Sequence, residues 1–173
     1  MKGRLHCYCS LLFMALYLLS PLLLANGDKD AQSSVILRLG WLDDHGQFVD
    51  KELSLYDLDT MPKTSITLEL PESLDMTGEH SWQGVSLSSL IALSGRRADS
   101  LKVTALDGYS IIVPGNDIER FNPTLAYRRD GMLISVLDKG PLTLIYPFDK
   151  FPELNRQVYL NRVVWQVNAI TLQ

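Results

Sequence analysis

The side chains best able to grip an anion are Arg96 and Arg97, Arg128 and Arg129, and then Lys139, Lys150, Arg156 and Arg162. A guanidinium is planar and donates two hydrogen bonds at once, which suits phosphate or carboxylate. The competing role is that of solvated turn and strand-edge charges. Arg128 precedes an Asp-Gly turn and Arg162 stands beside Val164-Trp165, which makes them the two arginines to follow. Asp149 lies in a Pro-bounded loop after Tyr146-Pro147-Phe148, placed either to face a pocket or to cap its own loop. Trp82, Tyr109, Tyr127, Tyr146 and Trp165 are large aromatics in strand-like segments, where packing in a core competes with contact to a ligand.

Nucleophile and metal chemistry find less to work with. His45 has Asp43 and Asp44 nearby and His80 has Asp75 and Glu79, but a hydrolytic metal site draws three ligands from a rigid arrangement. One histidine falls in a turn cluster and the other in a polar loop, so both read as surface residues and no metal site is assigned. Asp75, His80 and Ser81 include the residue types of a nucleophilic triad, without a strained elbow or an oxyanion hole to go with them. The two cysteines, Cys7 and Cys9, both lie in an apolar leader. Once that leader is removed the protein has no disulfide, no thiolate ligand and no cysteine nucleophile.

That leader has the layout of a secretory signal peptide. Lys2 and Arg4 open it, Leu11 to Leu24 is almost wholly apolar, and Ala25-Asn26-Gly27 offers small residues before polar sequence begins at Asp28. The rival is an uncleaved anchor, since Cys7 to Ala25 approaches the roughly 20 apolar residues of a spanning helix. Pro21 and the small residues favour cleavage, and a periplasmic or secreted protein of residues 28–173 is expected. Roughly 150 residues suffice for one domain with a core that needs no staples. The net charge of −4 becomes more negative when two bases leave with the leader, so nucleic acid is excluded as a partner.

Strands dominate the pattern. Ser34 to Leu39 reads as a strand that exits through the Asp43-Asp44-His45-Gly46 turn. Leu53 to Leu58 reads as a short helix closed by Met61-Pro62, with a strand from Thr64 to Leu70 after it. Ser86 caps a helix that carries Leu87, Leu90 and Ile91 and stops at Gly95. Leu101–Leu106 and Tyr109–Val113 flank Asp107-Gly108, and Leu125–Arg129 and Met132–Leu137 flank Asp130-Gly131. Asp-Gly is the preferred two-residue hairpin turn because both residues need positive φ. Leu142–Tyr146 and Arg162–Leu172 add two strands, and hairpins with a few inserted helices imply an α+β fold.

In order along the chain come Trp82-Gln83-Gly84-Val85-Ser86-Leu87, Leu106-Asp107-Gly108-Tyr109-Ser110 with Val113-Pro114, Leu125-Ala126-Tyr127 with Asp130-Gly131, Gly140-Pro141-Leu142-Thr143-Leu144-Ile145-Tyr146-Pro147, and Val164-Trp165. These segments resemble the oxidoreductase molybdopterin-binding domain, the catalytic fold of sulfite oxidase and its bacterial relatives. The resemblance runs from about Trp82 to Leu172 and more weakly back to Val35. It implies layered mixed β-sheets with short helices and a β-grasp-like portion, and a pterin pyrophosphate held by basic side chains and backbone amides. On that basis Trp82, Tyr109, Arg128, Tyr146, Asp149 and Arg162 are the candidate cofactor-binding residues.

The chain departs from the family in three places. Catalytic members bind molybdenum through a cysteine upstream of the Trp-Gly-Val segment, and the corresponding stretch, Ile66 through Ser81, has none. Thr143 stands where a basic residue is common, and Phe148 to Asn161 replaces a short glycine-rich approach. The resemblance therefore leaves molybdopterin open as a ligand and argues against molybdenum. Three functions follow: an exported ligand-binding or sensory module with a small-molecule or pterin ligand and a membrane signalling or redox partner protein; a molybdopterin-dependent oxidoreductase; and a structural accessory subunit of an envelope redox complex.

Overall fold

The structure, a computed structural model, describes residues 34–173, so the leader and its cleavage site lie outside the described residues. β1 (Val35–Leu42) turns into β2 (Phe48–Ser54) where the Asp43 carboxylate accepts from the backbone N–H groups of His45 (2.8 Å) and Gln47 (2.9 Å). Gly46 supplies the positive φ, +72°, that closes this turn. Ser54 then caps α1 (Leu55–Thr60): its Oγ accepts from the N–H of Asp57, whose carboxylate accepts from the N–H of Ser54, a reciprocal capping box. β3 (Lys63–Glu69), β4 (Glu79–Ser86) and α2 (Leu87–Ser94) follow. α2 is capped by Ser86 and stopped by Gly95 at φ +66°, as the sequence predicts.

The remaining elements are β5 (Ser100–Ala105), β6 (Ser110–Pro114), α3 (Gly115–Phe121), β7 (Thr124–Arg129), β8 (Met132–Leu133), β9 (Thr143–Ile145), α4 (Gln157–Leu160) and β10 (Val167–Leu172). They assemble into two sheets. The first has the order β2-β1-β10-β5-β6, in which β10 runs parallel to β1 and every other pairing is antiparallel. Two hairpins, β1–β2 and β5–β6, thus flank β10, the β-grasp-like portion expected from the resemblance. The second sheet, β3-β4-β7-β8 with β9 also on β7, is built from the chain between β2 and α2 and between β6 and β10.

Alternation along the strands sorts apolar residues into two layers. Between the sheets Leu37, Leu39, Val103 and Ile170 share a core with Val85, Leu125, Tyr127 and Leu144, and Leu58, Leu90, Ile118 and Phe121 join it from α1, α2 and α3. On the other face of the second sheet Ile66, Leu68, Trp82, Ala126 and Ile145 form a smaller cluster. Irregular chain covers that cluster: Leu74, Met76, Ile134, Phe148, Val163 and Trp165 pack on it. The architecture is therefore the layered α+β fold with short helices that the sequence predicts.

Several elements differ from expectation. β2 is an added strand: Leu53 is its one buried residue, so it shows no apolar alternation to read. His80 stands on β4, not in a loop, because the exposed half of that strand is polar. The first hairpin turn is wider than two residues; Leu106-Asp107-Gly108 separates Ala105 from Tyr109, whose carbonyl accepts from the Ala105 N–H, and Gly108 alone takes positive φ (+87°). The second is the predicted two-residue turn, with Asp130 at φ +53° and Gly131 at +80°. β8 ends at Leu133 and β10 begins at Val167, each shorter than predicted. Among the described residues no helix is long and apolar enough to cross a membrane.

Candidate functional site

A cleft of about 560 Å³ opens between the β3–β4 connection and the chain after β9. Its floor is apolar, made by Leu70, Pro71, Met76 and Phe148, and Leu70, Met76 and Phe148 belong to the cluster around Trp82. Glu69, Glu72 and Asp149 supply the charges of its wall, with Thr77 and Asn155 as neutral polar groups. Among the described residues no Arg, Lys or His lines it.

Long-range contacts hold the wall in shape. Glu69 Oε1 accepts from the Gly78 N–H at 3.2 Å and ties together the two ends of the 69–78 loop. Lys139 Nζ donates to the carbonyls of Leu74 (3.3 Å) and Asp75 (3.2 Å) while lying 4.6 Å from the Trp165 ring centroid. Arg129 reaches Met76 Sδ at 3.7 Å and lies over the Trp82 ring at 5.8 Å. His80 has Nδ1 2.7 Å from Asp130 Oδ2 and Nε2 3.2 Å from the Thr77 carbonyl oxygen. The N–H of Ser81 donates to Asp130 at 2.9 Å, and this bond above all, with His80 second, holds the Asp130 carboxyl below the usual range. Two of the anion-gripping candidates, Arg129 and Lys139, thus serve to position this wall.

Of the six candidate residues, Asp149 lines the cleft and Trp82 lies beneath it. Trp82 is 1% exposed, and its indole N–H has no acceptor among the described residues. Tyr146 and Arg162 meet elsewhere, on Asp117 of α3: the Tyr146 hydroxyl donates to Oδ2 at 2.9 Å and Arg162 donates to the same oxygen at 2.6 Å. Asp117 is 6% exposed, and Phe121, Phe148, Phe151 and Tyr159 pack as neighbouring rings around this group. Burial first, and then the Asp117 charge, push the Tyr146 hydroxyl well above its ordinary range. Arg128 lies over Tyr127, which donates to Asp59 at 2.9 Å; burial again leads in raising the Tyr127 hydroxyl. Tyr109 stays half-exposed on its hairpin loop and donates to the Asn161 carbonyl at 3.3 Å.

The remaining sequence candidates separate. Ser81 neighbours His80 on a strand, so their side chains point to opposite faces, and His80 pairs with Asp130 in place of Asp75. His45 is exposed in its turn. Among the described residues no group of three or more His, Cys, Asp or Glu side chains is arranged to hold a metal ion. Arg96 is paired with Asp44 beside a second cleft, of about 390 Å³, that also reaches Arg97, Gly115 and Glu119 between α2 and α3.

No protein-family model matches the chain, and no curated protein matches it. Among solved structures, it is similar to the sulfane dehydrogenase SoxCD from Paracoccus pantotrophus, with a TM-score of 0.56 and 17% sequence identity. The match covers 79% of this chain and 38% of that chain, so the described fold spans well under half of its neighbour. The likeness is one of fold alone.

The cleft bears on the molybdopterin cofactor that the sequence resemblance implies. It adjoins the Ile66–Ser81 stretch, where the resemblance places a molybdenum-binding thiolate and this chain has none. A pyrophosphate needs cationic or N–H donors, and the cleft presents three carboxylates. Arg162 is engaged by Asp117, and Arg128 lies on Tyr127. The residues lining this cleft do not fit a pterin pyrophosphate or its metal.

Proposed function

We propose that the chain is an exported, non-catalytic binding module, in which a sulfite oxidase-type scaffold carries a small-molecule cleft in place of a molybdenum centre. The observation that carries this reading is the cleft itself: it falls on the segment where the family's thiolate is expected, it is within the size range of ligand sites, and its charged groups are carboxylates. Export rests on the leader, and a membrane signalling or redox protein is the partner proposed for the module. Fold alone does not carry catalysis.

The alternative, a molybdopterin-dependent oxidoreductase, draws its support from the fold likeness to a sulfane dehydrogenase. The two separate when the full chain is purified from a host that makes molybdenum cofactor, with bound molybdenum measured by mass spectrometry and pterin by fluorescence after oxidation. The expected result is molybdenum far below one per chain. Stoichiometric molybdenum would overturn the proposal.

A further inference from the structure

We infer that the cleft takes a small organic cation, an ammonium or guanidinium head on a short apolar body. This deepens the binding-module reading and rests on it. Three independent features select that class. Among the described residues the charge in the cleft is of one sign, with Glu69, Glu72 and Asp149 on its wall and no basic side chain lining it. The floor of Leu70, Met76 and Phe148 is continuous with the buried cluster around Trp82, so it offers apolar surface to the body of a ligand, and Phe148 adds an aromatic ring to the lining.

The third feature is how the carboxylates are spread. Although three acids line one cleft, no three acidic or histidine side chains among the described residues are arranged to close on a metal ion. A bare divalent ion would need such a closed set, whereas a ligand of several heavy atoms meets separated acids along its length. The cavity of about 560 Å³ is sized for that kind of ligand. Its wall is braced from outside by Lys139 and Arg129, whose charges are turned to backbone, sulfur and ring contacts.

Titration calorimetry of the full chain with agmatine and spermidine tests the inference, with 6-carboxypterin, inorganic phosphate and calcium as counter-probes. Saturable binding of agmatine or spermidine is expected, weakened by salt and by about two- to fivefold for each of Glu72→Gln and Asp149→Asn. Both side chains are exposed, so circular dichroism should show both variants folded; Phe148→Leu, which keeps the floor apolar but removes the ring, should weaken binding further. Binding of 6-carboxypterin or phosphate without the amines, tight calcium binding at the same acids, or amine binding indifferent to both acid variants would each overturn the inference. Anion binding would still leave a binding module, whereas stoichiometric molybdenum would remove the underlying reading, so the two failures are distinguishable.

Discussion

Asp117 shows how much a single buried carboxylate organises. One of its oxygens receives both the Tyr146 hydroxyl and the Arg162 guanidinium, joining α3, the end of β9 and the chain before β10. Removing a partner from a buried ion pair leaves an uncompensated charge, a larger loss than the pair's net worth. The Arg162 side chain keeps 19% exposure, which tempers the effect. Arg162→Ala is expected to lower unfolding free energy by about 2–3 kcal/mol in urea titrations. Tyr146 and Arg162 were both legible as candidates in the sequence; their common partner was not. α3 is seven residues long and opens on Gly-Asn, too short for a helical period to reveal which acid it buries.

Alkaline pH gives a second test at the same scale. In the folded protein Tyr127 and Tyr146 hold their protons above the ordinary tyrosine range, whereas the unfolded chain releases them near pH 10. Below pH 10 both states are protonated and the full contribution is present. Above it the unfolded state binds fewer protons, so stability falls as pH rises. The urea midpoint should drop between pH 9.5 and 11, and the drop should be shallower in Tyr146→Phe; an equal slope would mean that Tyr146 ionises freely in the native state. At the acid end, Asp57 and Asp59 are held below the usual carboxylate range, by Ser54 and by Lys63. Their contribution is present above about pH 4 and disappears as pH falls through their lowered values.

At the scale of elements, Trp82-Gln83-Gly84-Val85 turns out to be a packing signature. Trp82 enters the outer cluster, Val85 enters the core between the sheets, and the bulge between Gln83 and Gly84 brings β4 against β7. A Cβ on Gly84 would stand 2.0 Å from the Leu125 carbonyl oxygen and 2.6 Å from the Ala126 Cα. Both are backbone atoms of a central strand, with no flexible side chain to yield. Gly84→Ala should therefore destabilise by about 3 kcal/mol, seen as a lower urea midpoint. The motif was visible in the sequence, but the strand that holds it was not, because Glu79, His80 and Ser81 begin β4 with polar residues. The capped helix α2 and the Asp130-Gly131 turn were legible for the opposite reason: each is decided by local backbone chemistry.

At the scale of the molecule, hydrogen exchange should follow the order of the first sheet. β1 and β10 are interior strands with neighbours on both sides, while β2 and β6 are edges and β8 is a two-residue strand. Amides of Leu37, Leu39 and Ile170 are expected among the slowest to exchange and those of Phe48 to Asp50 among the fastest. Faster exchange in β10 than in β2 would contradict the sheet order. The cleft itself was half legible: Asp149 was marked by its loop, but the acids Glu69 and Glu72 were not, since only tertiary contacts such as Lys139 to Leu74 carry the β3–β4 connection to that side.

The parallel pairing of β1 with β10 has a kinetic meaning. As the chain is synthesised, each hairpin can close as soon as it emerges, yet the place between β1 and β5 stays empty until Val167–Leu172 arrive. The central strand of the first sheet is thus the last of its five strands to be made, and β1, one of its two neighbours in space, lies more than a hundred positions away in sequence. Such distant closure slows folding, because the loop entropy is lost before the contact is gained. A nascent chain halted before Val167 would hold hairpins without a finished first sheet, and proteolysis of stalled chains should find them open until Val167–Leu172 are released.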